Sequence, residues 1–375
     1  MKNNQDRKKI FLQIYIFFLV FLLAVSLGRG FFSLWFSQNN FSYQQIFGYY
    51  LIKLAIPSIL LVFIKRFSSP KSFIIAFASE IILMLGVIKF IHPWQIFLIG
   101  IPSGITVVFF YVTYNTLYFN NTPKNKRAFS SSIFTLAGPF LGIAVPLIVG
   151  FIGKFWGLQA VFPTAIFIIL IAAYLTKNLP KISFACNLKK SLNKTKKINL
   201  LLIIEGIREA VGLAAVPVFT LLFINQPLPY GVFFSYLAFV SVGTTLLLGH
   251  LSDKSKKRTI ILYPSTILVA LLIMTLGFSQ DLRSWAILTG CLGLVSTING
   301  TFVTTLVLDQ INSVGHGMIG REFLLGVGRI IGSLIFIASL AIFSAPKSAF
   351  LLIGLIYLLF PYLVFRNKLY VQKTK

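Results

Sequence analysis

Acidic residues are almost absent. Asp and Glu together number 8 in 375 positions, against 34 Lys and Arg, and only 11% of the chain is charged. So few carboxylates leave little from which to build the paired acids of general acid–base catalysis. Histidine (3) and cysteine (2) are as scarce. Cys186 stands in a basic loop and Cys291 in an apolar segment, and no His/Cys/Asp spacing suggests a metal site, so neither metal nor cofactor is expected. A glycine-rich phosphate cradle followed by Lys and Ser or Thr is missing, which argues against ATP-driven chemistry by this chain alone. Long polar stretches are missing too, so no water-soluble domain has room to form.

What fills the space is hydrocarbon. Apolar residues make up 57% of the chain and the mean hydropathy is +0.87, which overrides the two or three soluble domains that length alone would suggest. About 20 apolar residues at ~1.5 Å each cross ~30 Å of bilayer. Apolar runs at 10–36, 45–64, 73–90, 95–118, 128–153 and 159–176 form one set, and those at 200–224, 230–248, 259–278, 285–308, 318–343 and 349–365 a second. The expected fold class is an all-α membrane protein with about twelve transmembrane helices in two pseudo-symmetric six-helix bundles. The domains are 1–176, a basic cytoplasmic linker at 177–199 carrying seven lysines, and 200–375 with a short cytoplasmic tail. The basic start and the apolar run from Ile10 mimic a signal peptide, but the run is too long and lacks a small-residue cleavage site, so a retained first helix is expected.

A net charge of +26 would suggest nucleic acid in a soluble chain. With the N-terminus inside, however, 26 of the 34 basic residues fall on the cytoplasmic side and only Lys89, Lys154, Arg283 and Lys347 on the outer side. Lys and Arg retained in cytoplasmic loops account for the excess. The expectation is therefore a multi-pass protein of a bacterial plasma (inner) membrane, monomeric, with both termini cytoplasmic, a lipid bilayer as its surroundings and no nucleic-acid partner.

A weak repeat relates the starts of the fifth and eleventh segments: Arg127, Phe129 and Gly138 recur as Arg321, Phe323 and Gly332 at a constant offset. Duplicated halves of this kind hold substrate between them in many secondary transporters.

The loop after the eighth segment reads Gly249-His250-Leu251-Ser252-Asp253-Lys254-Ser255-Lys256-Lys257-Arg258. It resembles the loop signature of the major facilitator superfamily, G-x-L-x-D-[RK]-x-G-[RK]-[RK], with Lys256 in place of the usual glycine. The resemblance implies a transporter working by alternating access, in which Gly249, Asp253, Lys254, Lys257 and Arg258 form a gating motif near the start of the fifth helix. The matching first-half loop, Lys65 to Lys71, has lost its acid. Glu322 is the expected replacement, pairing with Lys65 or Arg66. In the fifth segment Gly142, Pro146 and Gly150 resemble a reduced antiporter element of the same superfamily. Their spacing of four puts them on one helix face as a packing element. The fourth segment has no arginine, which puts proton antiport by that route in doubt.

Ionisable side chains inside hydrocarbon face a cavity or each other. Arg29, Lys53, Glu80, Glu205, Arg208, Glu209 and Arg329 are thus the candidates for binding substrate or a coupling proton. Glu205 can reach both Arg208 and Glu209 along one helix face, which leaves open a self-compensating cluster or a coupling carboxylate. Arg29 and Arg329, flanked by glycines, favour an anionic substrate if they face the cavity, since arginine offers a planar fork of donors; pairing of either with Glu80 would instead lock the fold. The expected function is secondary active transport of a small solute, proton-coupled, with efflux favoured over uptake of an anionic metabolite and no enzymatic activity. A membrane-embedded sensor or a lipid-modifying enzyme is the alternative of another class, the latter disfavoured by three scattered histidines.

Overall fold

The structure is a computed structural model that describes residues 4–88, 92, 94–122, 127–252, 259–310, 314–367 and 369. The chain is helical almost throughout, and nine helical stretches among the described residues are long and apolar enough to cross a membrane. With no water in the hydrocarbon, each backbone N–H and C=O must be satisfied within its own segment, and a helix does this.

The first span breaks into α1 (Asn4–Arg29) and α2 (Phe32–Gln38), where the sequence suggested one continuous helix over 10–36. Then come α3 (Tyr43–Phe63) and α4 (Ser69–Ile88), and a fourth span built from α5 (Gln95–Thr106), a π-helical turn (Val107–Val112) and α6 (Thr113–Asn120). The fifth and sixth spans are α7 (Arg127–Trp156) and α8 (Val161–Leu175). Ser42 caps α3 in a reciprocal box with Gln45, satisfying two of the orphan donors at the helix start.

After the linker helix α9 (Leu188–Thr195), the seventh span repeats the irregularity of the fourth: α10 (Asn199–Ala210), a π-helical turn (Val211–Ala215), then α11 (Val216–Phe219). The remaining spans are α12 (Pro227–Ser252), α13 (Thr259–Leu276), α14 (Leu282–Gln310), α15 (Val314–Phe343) and the pair α16 (Lys347–Tyr357) and α17 (Leu359–Arg366). Early and late spans pack directly. Phe47 of α3 sits 5.3 Å from Phe219 and 5.4 Å from Phe336 between ring centroids, and further along α3 the Ser58 hydroxyl donates to the Phe323 carbonyl of α15.

The linker is more than a tether. Its residues Ser183–Ala185 (β2) pair antiparallel with Arg66–Ser68 (β1), the loop after α3, and the Cys186 amide donates to the Lys65 carbonyl at 2.8 Å. Asn187 caps α9 by accepting from the Lys190 amide. Ser191 and Thr195 are buried, Ser191 against Gly320 of α15, where an added Cβ would lie 2.9 Å from the Ser191 carbonyl. Lys189, Lys190 and Lys194 remain exposed. One short segment is thereby clipped to both an early loop and a late span.

This arrangement corrects the expected partner of Glu322. Arg66 Nε donates to Ser183 Oγ at 2.7 Å, while Glu322 turns to Arg329 on its own helix. The sheet gives Arg66 a local acceptor, and a partner seven residues away along a helix is nearer than one across the loop.

Candidate functional site

Arg29 closes α1 and meets Glu80 of α4 in a two-pronged pair: Nε donates to Oε1 at 2.7 Å and Nη2 to Oε2. Its remaining nitrogen, Nη1, donates to the Ser103 carbonyl of α5. Glu80 is fully buried. Forked arginine–carboxylate pairs combine energy with fixed geometry, so this one fixes α1, α4 and α5 to each other and leaves no nitrogen of Arg29 without a partner.

On α10 the expected trio divides. Arg208 Nη2 and Nε donate to Glu205 Oε1 at 2.6 and 3.1 Å. The other Glu205 oxygen faces the Tyr357 hydroxyl at 2.8 Å, which also lies 2.7 Å from Asn299 Oδ1. Asn299 Nδ2 continues to Thr266 Oγ1 at 2.7 Å. This buried network joins α10, α16, α14 and α13. Glu209 turns instead to α15, accepting from Arg329 Nε at 2.7 Å, while Arg329 Nη1 donates to Glu322 at 2.6 Å. Arg321 stands 3.9 Å from Glu322 on its other side. Glu205 and Glu209 project at different angles from α10, so one meets its own helix and the other a neighbour.

Each of these carboxylates is therefore matched by an arginine. Lys53 is different. Its ammonium lies 5.2 Å from the Tyr50 ring centroid and 5.9 Å from that of Tyr49, and no carboxylate stands within ion-pair distance of it among the described residues. The two phenols are held in turn, Tyr50 by Ser33 at 2.7 Å and Tyr49 by Ser103 at 3.3 Å. Aromatic faces partly replace the lost water of a desolvated cation, with a gain of about 0.5–2 kcal/mol. Lys53 belongs to α3, the early span that meets α15 through Phe47 with Phe336 and Ser58 with Phe323.

Beside this charged layer is a cavity of about 370 Å³ between α7, α10 with its π turn, α12 and α14. Arg208 forms part of its wall, and Gly138, Gly142 and Pro146 of α7 part of the opposite side. Gly142, Pro146 and Gly150 also form a seam with α12. A Cβ on Gly231 would approach the Pro146 carbonyl to 2.3 Å, and one on Gly150 the Pro227 carbonyl to 2.8 Å. Close contact of this kind requires glycine.

Gly249 lies in the last turn of α12; Asp253, Lys254, Lys257 and Arg258 of the gating motif lie outside the described residues. Tyr357 and Asn299 were missed from the sequence. Tyr357 stands in an apolar run, whereas Asn299 is one of several polar residues between Ser296 and Thr305, and nothing local singles it out.

A family model described as Major Facilitator Superfamily matches residues 10–333. The chain belongs to the Major Facilitator Superfamily. It is accordingly a multi-pass helical membrane protein of a transporter family and not an enzyme. No curated protein matches it. Among solved structures, a D-xylose-proton symporter superposes with a TM-score of 0.71 at 15% identity, covering 96% of this chain and 97% of the symporter. The human organic anion transporter MFSD10 (TETRAN) superposes with a TM-score of 0.68 at 11% identity, covering 97% of this chain and 100% of that one. At these identities the likeness establishes the superfamily's fold.

Proposed function

We propose that this superfamily member is a secondary active transporter of a small anionic solute, working by alternating access between a first bundle, 1–176, and a second, 200–375, joined by the linker 177–199. The observation that carries this reading is Lys53. Among the described residues each buried arginine faces a carboxylate, whereas Lys53 sets its amine at the junction of early and late spans, over two aromatic rings and with no carboxylate at ion-pair distance. An unpaired charge in hydrocarbon is costly and marks function by default, and an anionic group on the solute would supply the missing partner. One structural neighbour is described as an organic anion transporter and another as a D-xylose-proton symporter; the first fits an anionic cargo and the second a coupling proton.

Export is the favoured direction, because the α7 seam of Gly142, Pro146 and Gly150 resembles an antiporter element; import of an anionic metabolite is the other outcome of the same assay. The Lys and Arg bias supports both termini lying on the cytoplasmic face, and our reading is of a monomer in a bacterial inner membrane. The experiment is flux of radiolabelled carboxylates, succinate and 1-naphthylacetate among them, in proteoliposomes with an imposed proton gradient. Gradient-dependent movement that falls about tenfold or more in Lys53→Met, a loss of ~1.4 kcal/mol or more, is the expected result. Movement indifferent to both the gradient and Lys53 would sink the reading.

A further inference from the structure

The cavity between α7, α10, α12 and α14 has the size of a small-molecule site, since such pockets span about 300–1,000 Å³ and this one is about 370 Å³. Its walls are mostly apolar, and one polar group on them keeps a free donor. Arg208 spends Nε and Nη2 on Glu205, and its Nη1 makes no hydrogen bond among the described residues. The backbone is irregular at this point, because the π turn Val211–Ala215 carries Val211 and Gly212 into the wall; π turns inside helices recur at functional sites. A Cβ added to Gly212 or Gly138 would meet nothing within 4 Å, so both glycines border open space.

We propose that this cavity binds the apolar body of an amphipathic organic anion: one aromatic or branched hydrocarbon body with a single carboxylate or sulfonate. The anionic oxygens accept from Arg208 Nη1. Glu205 already neutralises much of Arg208, so a second negative charge on the ligand would go unmatched. A polyhydroxylated solute is disfavoured for a related reason, since most of its hydroxyls would lose water without gaining a partner on apolar walls. One wall, α7, belongs to the spans before the linker and the others to the spans after it, so rocking of the two bundles takes the cavity apart and frees its contents. The inference rests on the anionic-solute reading above: the cavity, which Lys53 does not line, holds the solute at a stage of its passage separate from its meeting with Lys53.

The test uses the purified full-length protein and 1-naphthylacetate as probe. Expected is a saturable rise in unfolding temperature with 1-naphthylacetate and none with acetate, succinate or naphthalenemethanol. Gly212→Val, which fills the cavity, weakens apparent affinity about tenfold or more while leaving the unliganded melting temperature within about 2 °C. Gly300→Val is the control, since Gly300 is equally open but off the cavity wall. Equal effects of the two substitutions, or none from either, overturn the proposal. If succinate moves in a Lys53-dependent way while 1-naphthylacetate neither binds nor moves, the cavity assignment fails and the transport reading stands. If 1-naphthylacetate binds in the Gly212-sensitive manner but no anion crosses the proteoliposome membrane, the cavity assignment stands and the transport reading fails.

Discussion

Among the described residues of the first six spans, buried charge consists of one closed pair, Arg29 with Glu80, and one unpaired amine, Lys53, set over two phenol rings. In the last six it forms connected groups: Arg208, Glu205, Tyr357 and Asn299 on one side, and Arg329 clamped between Glu209 and Glu322 on the other. The repeated glycines diverge in the same way. Gly138 opens onto the cavity, whereas Gly332, its counterpart, presses α15 against α10, where an added Cβ would lie 2.7 Å from that of Ala210. The second half is braced by connected polar contacts; the first keeps an amine without a carboxylate. An arginine in the bundle core is thus not by itself an anion site, because its pairing decides what it can still bind.

The largest effect should come from breaking the closed pair. Glu80→Leu leaves Arg29 charged, buried and alone, at a cost of about 3–5 kcal/mol. Loss of monodisperse protein in detergent is the expected outcome, with most of it recovered in Arg29→Met/Glu80→Leu. A double variant as damaged as the single would mean that the pair does not brace the first half.

Next is the contrast between a packed and an open glycine. Gly206→Ala would drive its Cβ to 2.2 Å from the Leu325 carbonyl, and overpacking of that order costs about 1–3 kcal/mol. Gly138→Ala has free space and should leave the melting temperature nearly unchanged; equal shifts would erase the distinction between packed and open glycines. Tyr357→Phe removes a hydroxyl held between Glu205 and Asn299, costing about 1–3 kcal/mol through the unpaired acceptors it leaves. Thermal unfolding of this variant should fall even though the cavity is untouched, and an unchanged melting curve would remove Tyr357 from the brace.

The smallest effect concerns the clip. Burial pushes the Cys186 thiol up to about 11, so its thiolate is a minute fraction at neutral pH and gains about tenfold per pH unit below that value. In a Cys291→Ser background, maleimide labelling should be slow at pH 7 and rise steeply towards pH 10. Rapid labelling at pH 7 would show that β2 does not stay paired with β1.

Spans are legible in the sequence because hydropathy is a property of one dimension. The charge pairs are not. Arg29 and Glu80 lie 51 positions apart, and nothing in their local context names one as the other's partner; Glu209 looks as close to Glu205 as to Arg208 until α15 supplies Arg329. The π turns at Val107–Val112 and Val211–Ala215 carry no Pro or charge to announce them. The three-residue strands of the clip are too short for an alternating pattern to be read. The seven intramembrane candidates were visible as a set, and only the fold separates the paired arginines from Lys53.

The most direct test of that separation is gradient-driven carboxylate flux in proteoliposomes for Lys53→Met beside the unsubstituted protein, with unfolding temperature measured on the same preparations. The account predicts flux reduced about tenfold or more and a stability change under about 1 kcal/mol. Undiminished flux in a folded Lys53→Met protein would contradict it.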